Sequence, residues 1–107
     1  MASKPYSVVF AHVAEADLDG IYNYITHQLH TEPAASALIA KFKEKIMLLK
    51  EFPLSCPVKL QVLSHKEYRK LLVDNYIVFY RVDESNRKVY ISRILYASRN
   101  YMELLEW

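Results

Sequence analysis

Apolar residues change their spacing twice along this chain, and the changes divide it into elements. Tyr6-Ser7-Val8-Val9-Phe10 is a short β-rich run. From Val13 onward, Ala14, Leu18, Ile21, Tyr22, Ile25 and Leu29 recur at intervals of three and four, with Glu15, Asp17, Asp19, Asn23 and His27 between them. That spacing predicts an amphipathic helix. Its acidic residues gather near the start, where the helix dipole favours them. Gly20 inside it costs about 1 kcal/mol relative to alanine and is expected to mark close packing against another element. Thr31-Glu32-Pro33 reads as a cap with proline in the first turn. Ala35, Leu38, Ile39, Phe42, Ile46 and Leu49 then form a second helical stripe, stopped by Phe52-Pro53 and Pro57.

Beyond residue 57 the period becomes two. Tyr68–Val73, Tyr76–Val82 and Lys88–Tyr96 read as strands, joined by Asp74-Asn75 and by Asp83–Arg87, both of hairpin length. Met102, Leu105 and Trp107 suggest a last helical turn or two capped by Asn100. The fold class is therefore α+β, in the order β-α-α-β-β-β with a short C-terminal helix. The two helices pack on one face of a small antiparallel sheet. Residues 1–107 form a single domain.

The strand patterns carry a second implication. Tyr76, Val78, Tyr80 and Val82 alternate with Ile77, Phe79 and Arg81, and both sets are largely apolar. A sheet with one solvated face alternates apolar with polar. Two helices cover one face only, so the other is expected to be an open apolar patch dotted with arginines, which is a partner surface. Arg69, Leu71, Ile77, Phe79, Arg81 and Arg93 are the residues expected to form it. Composition sharpens this picture. At 107 residues, 52% hydrophobic and 24% charged, the chain is long enough for one core and too apolar for long disorder. The net charge of +2 conceals an asymmetry, because all five arginines, Arg69, Arg81, Arg87, Arg93 and Arg99, lie in the second half. The guanidinium fork suits phosphate and carboxylate recognition.

Several chemistries are excluded or disfavoured. A single glycine rules out Gly-rich phosphate loops. No stretch approaches the ~20 apolar residues of a membrane span, and Met1–Pro5 precede no secretory core, so a cytoplasmic location is expected. Cys56 stands alone, which excludes an internal disulfide or a multi-cysteine zinc site and suits a reducing compartment. It is expected to be a small buried hydrophobe. His27 and His30 are three apart but have no third ligand beside them, and His12 and His65 stand alone, so no metal site is expected. No cofactor is implied.

Three segments carry a family resemblance: Ala14–Ile25 with its Asp17-Leu18 and Tyr24-Ile25 pairs, Tyr68–Val82, and Val89–Asn100. In this order they resemble the RelE/ParE superfamily of toxins from type II toxin–antitoxin modules. The resemblance implies a growth-arresting toxin neutralised by a cognate antitoxin. Operator DNA would be contacted only through the antitoxin, since the chain has no helix-turn-helix and no dense basic run. Two targets divide the superfamily. ParE-type toxins poison DNA gyrase; RelE-type toxins cut messenger RNA on the ribosome by metal-independent attack of the ribose 2′-hydroxyl. In the second case a protein must stabilise a phosphorane and supply a proton, and the candidates here are Arg69, Arg81, Arg99 and Tyr96. Ile77 occupies the place of a key phosphate-binding arginine, and Leu71 a place where lysine is common. Losing one such contact costs about 3–4 kcal/mol. The gyrase reading is favoured on this departure; the endoribonuclease is the alternative, and a non-catalytic binding module of the same fold is a third.

Overall fold

The computed structural model describes residues 5–28, 32–56, 58–61 and 67–97. Strand β1 (Ser7–Phe10) leads into helix α1 (His12–Asn23), which runs on as a π-helical turn over Tyr24–Gln28. Helix α2 spans Glu32–Leu48. Four strands follow: β2 (Val58–Gln61), β3 (Glu67–Val73), β4 (Tyr76–Asp83) and β5 (Lys88–Tyr96). The helix pair and the three long strands lie where the hydrophobic period places them, and the α+β class holds. The C-terminal helix expected around Met102 and Leu105, with Arg99, His30 and His65, lies outside the described residues.

Two features extend the expected arrangement. Val58–Gln61 is an additional edge strand, and the sheet order is β1-β5-β4-β3-β2. Strand β1 pairs parallel with β5, Ser7 opposite Lys88 and Phe10 opposite Ile91, so the sheet is mixed and not wholly antiparallel. The pair can be parallel because β1 and β5 are far apart in sequence, with the α1–α2 hairpin and strands β2–β4 between them. β1 is anchored at its start by the Tyr6 N–H to the Lys50 carbonyl (2.8 Å) and the Ser7 N–H to the Arg87 carbonyl (2.9 Å). The Arg87 guanidinium also lies 4.8 Å over the Tyr6 ring, in cation–π contact.

The core forms where the helical stripes meet one sheet face. Ala14, Ala35, Leu38, Phe42 and Ile46 pack with Val73, Val78, Tyr80, Val89, Ile91 and Ile94. Lys41 pairs with Asp74 across 3.1 Å, and Lys45 Nζ donates to the Leu72 carbonyl, so α2 is tied to the β3–β4 turn. Asp74 takes φ 52° in that two-residue turn, a conformation that aspartate tolerates better than most residues. In the β4–β5 hairpin the Asn86 side-chain amide (2.8 Å) and backbone N–H (3.1 Å) both donate to Asp83, and they hold its carboxyl below the ordinary carboxylate range.

Register corrects the expected partner surface. The short turn opposes Val73 to Tyr76, so Arg69 faces Tyr80 and Leu71 faces Val78 across the ladder. Those positions belong to the helix-covered face, whereas Ile77, Phe79 and Arg81 belong to the other. Leu71 is half-buried against the core. On β5 the register slips between Phe79 and Tyr80: Ile91 opposes Tyr80, Arg93 opposes Phe79, and Ser92 is left as the extra, bulged residue. A bulge inverts the alternation, which is why Ile94 joins Val89 and Ile91 in the core.

The second face is not open at its centre. Ile77 is 5% exposed, Phe79 0% and Leu95 2%. Neither Ile77 nor Phe79 belongs to the cluster formed with α1 and α2, so a second apolar layer exists on the far side of the sheet. Among the described residues no helix is long and apolar enough to cross a membrane.

The two views of Phe79 differ in their energetic consequence. Phe79→Ala should cost about 3–5 kcal/mol, as for a sealed core aromatic; a patch residue would change stability by no more than about 0.5 kcal/mol. Urea unfolding of the isolated chain, read as the midpoint at constant slope, decides between them.

Candidate binding groove

β1 ends at Phe10, so only Lys88–Ile91 of β5 have a strand beside them on that side. α1 passes along the rest. The residue that closes the gap is Asp17. Its Oδ2 accepts the Ile94 amide at 3.0 Å and Arg93 Nε at 2.8 Å, while Oδ1 accepts Arg93 Nη2 at 2.9 Å. This is a bidentate guanidinium–carboxylate pair, planar and shorter than a neutral hydrogen bond. Both side chains are 15% exposed, so little water competes with them. One carboxylate thus satisfies a strand amide and neutralises the arginine beside it.

Next to this pair lies a groove of about 600 Å³ between α1 and the Tyr76–Tyr96 end of the sheet. Gly20 and Ile21 form its helical wall; Ile94, Leu95 and Tyr96 form the strand wall. Gly20 was expected to mark close packing, but a Cβ there would meet nothing within 4 Å. Its missing side chain opens space and does not admit a neighbour. Tyr24 lines the groove from the first position of the π-turn. The Thr26 hydroxyl donates back to the Tyr22 carbonyl (3.0 Å) and the Asn23 carbonyl (3.2 Å) just ahead of that turn. Tyr76 and Tyr96, opposed in the ladder, meet edge to face with centroids 5.6 Å apart, and Tyr76 makes a second such contact with Phe42 at 5.8 Å.

The phenol of Tyr76 is raised above its ordinary value, first by burial and then by the nearby phenols of Tyr96 and Tyr24. Tyr80, deeper in the core, donates to the Pro53 carbonyl at 3.1 Å. Burial, reinforced by the Cys56 side chain, pushes its phenol far up. Cys56 is half-buried against the same core, as a structural thiol would be.

The candidate residues from the sequence are not gathered in one place. Arg69 Nη1 donates to the Cys56 carbonyl, on the helix-covered side. Arg93 is committed to Asp17. Arg81 is half-buried at the opposite end of β4 from Tyr76, whose cross-strand neighbour is Tyr96. Five strand positions separate the two ends, roughly 17 Å. Tyr96 is 48% exposed and joins the groove. Among the described residues no group of histidine, cysteine, aspartate and glutamate could hold a metal ion. Asp17, Gly20 and Tyr24, none of them singled out for function by composition or period, are the side of the groove that sequence reasoning missed. The available signal was a glycine placed mid-helix with no turn to explain it.

A family model described as the ParE toxin of type II toxin–antitoxin system, parDE, matches residues 8–101. No curated protein matches the chain. Among solved structures, the chain is similar in fold to the chromosomal ParDE TA system from P. aeruginosa, with 22% identity, 88% of this chain and 98% of that one covered, and a TM-score of 0.70. It is similar to the toxin–antitoxin complex RelBE2 from Mycobacterium tuberculosis, with 23% identity, 86% and 98% covered, TM-score 0.58. The archaeal RelE-RelB complex from Pyrococcus horikoshii OT3 shares 16% identity over 89% and 98%, with TM-score 0.63.

Removing Asp17 takes away both the bidentate partner of Arg93 and the acceptor of the Ile94 amide, in a site that water scarcely reaches. Asp17→Ala should therefore destabilise by about 3 kcal/mol, and a double-mutant cycle with Arg93→Ala should return a coupling of more than about 1 kcal/mol. Chemical denaturation of the four proteins measures both. A second expectation concerns alkaline pH. The folded phenols of Tyr76 and Tyr80 hold their protons more tightly than unfolded ones, so their contribution to stability is complete below pH ~10. It is lost as pH rises through their folded values. Stability followed by circular dichroism should fall above that point, with these two tyrosines the last to develop the phenolate absorbance.

Proposed function

This chain belongs to the ParE toxin family of type II toxin–antitoxin systems, and we propose that it arrests growth by protein–protein contact with DNA gyrase until a cognate antitoxin neutralises it. The antitoxin is supported by the solved relatives, which are ParDE and RelBE assemblies. The gyrase reading rests on one observation: three of the four described arginines, Arg69, Arg87 and Arg93, are spent on holding the fold. Cleavage of RNA without metal needs guanidinium or ammonium groups converging on one phosphate, with a proton donor within hydrogen-bond reach. Arg93 is bound to Asp17, Arg69 to a backbone carbonyl, and Ile77 is apolar and buried. Arg81 and Tyr96 stand at opposite ends of their strands. Such an arrangement serves a toxin that works by surface complementarity better than one that works by acid–base chemistry. Repression of its own operator would pass through the antitoxin.

Paired assays on the purified chain separate the readings. Gyrase supercoiling should stall at saturating toxin while message in a translating extract stays whole. Undiminished supercoiling overturns the proposal. Codon-spaced cleavage of the message that disappears with Arg69→Ala replaces it with the ribosome-dependent endoribonuclease. Normal growth on expression of the chain without an antitoxin leaves a binding module of the same fold.

A further inference from the structure

We infer that the groove beside α1 is a recognition site for a cationic side chain, a lysine or arginine carried on an apolar segment of a protein partner. The inference concerns the groove's own chemistry and goes beyond the choice of gyrase or ribosome. Four observations converge on it.

The first is the set of π-faces. Tyr24 is 56% exposed and Tyr96 48% exposed, and Tyr76 stands against Tyr96 in the same groove. Cations are attracted to aromatic faces, and cages of several rings are the recurring way of holding an ammonium group. The second is charge. Asp17, whose carboxylate is paired with Arg93, lines the groove, and among the described residues that line it there is no lysine, arginine or histidine. The Asp17 carboxylate accepts three hydrogen bonds from Arg93 and Ile94, and a carboxylate offers about four lone-pair sites. A further donor can be taken without breaking the pair.

The third observation is room. At about 600 Å³ the space lies within the range of pockets that take ligands, and Gly20 leaves its own place in the helical wall empty. Ile21 and Ile94 supply apolar wall for the stem of a long cationic residue. The fourth is the π-turn that begins at Tyr24. A π-turn inserts one residue into the helical repeat and re-aims the side chains around it, and such turns cluster at functional sites.

The test uses the full chain with ring-labelled tyrosines, followed by nuclear magnetic resonance. It is titrated with Nα-acetylarginine amide, with the uncharged Nα-acetylnorleucine amide and with Nα-acetylglutamate amide. The Tyr24 and Tyr96 ring signals should shift saturably with the arginine compound, and the norleucine compound should bind about tenfold more weakly. Tyr96→Leu and Tyr24→Leu, at exposed positions, should each lose most of the arginine response. Tyr96→Phe keeps the ring face and should retain it. Gly20→Leu should fill the groove and abolish binding, with an unchanged circular dichroism spectrum. Equal binding of the norleucine compound would make the groove merely apolar and overturn the assignment. So would preference for the glutamate compound, or no saturable response to arginine. No gyrase, ribosome or antitoxin is present in this titration, so its failure and a failure of the gyrase reading are separate results.

Discussion

One carboxylate fixes helix α1 against the open edge of β5. Asp17 binds the Arg93 guanidinium through both oxygens and takes the Ile94 amide as well. β1 is four residues long and leaves the last part of β5 without a neighbouring strand on that side. An exposed row of strand amides is a template for unwanted pairing. α1 supplies the missing partner from a side chain, so the strand edge is satisfied and the helix is fixed in direction and depth. The bulge at Ser92 is part of the same device, since it brings Ile94 into the core beside the helix and sets Arg93 against Phe79 on the ladder.

That clamp also explains the groove. Once α1 is held at Asp17, Gly20 leaves the space beside the helix unfilled. Three tyrosines from two distant parts of the chain then line it. Elsewhere the cations hold structure: Lys41 pairs with Asp74, Lys45 with a strand carbonyl, Arg69 with the Cys56 carbonyl, and Arg87 with the Tyr6 ring. Among the described arginines, Arg69, Arg87 and Arg93 brace the fold, and Arg81 is half-buried near the end of β4.

The apolar row Ile77–Phe79 belongs to the sheet's second face, and its burial changes what the pattern means. Strands apolar on both sides predict a surface awaiting a partner molecule. In the folded chain the row is already out of water, so the hydrophobic gain of hiding it is part of the protein's own stability. Family membership stands on the match over residues 8–101 and does not depend on an open patch.

Helices and strands were legible because each rests on a local period: three and four along Ala14–Ile25 and Ala35–Leu49, two along Tyr68–Tyr96. Turn chemistry at Asp74-Asn75 set the β3–β4 hairpin, and that hairpin's length already implied that Arg69 and Phe79 fall on different faces. Val58–Gln61 gave no signal, being a four-residue edge strand whose pairing to β3 is itself irregular. The groove was out of reach for a stronger reason. Asp17, Tyr24 and Tyr76 are ordinary members of their own periods, and what makes them a site is a contact spanning 76 residues from Asp17 to Arg93 together with one bulged residue. Periodicity encodes which side of an element is apolar, because that depends on neighbours a few positions away. Which elements meet, and which polar group is left at their junction, depends on the whole packed chain, and only the tertiary structure decides it.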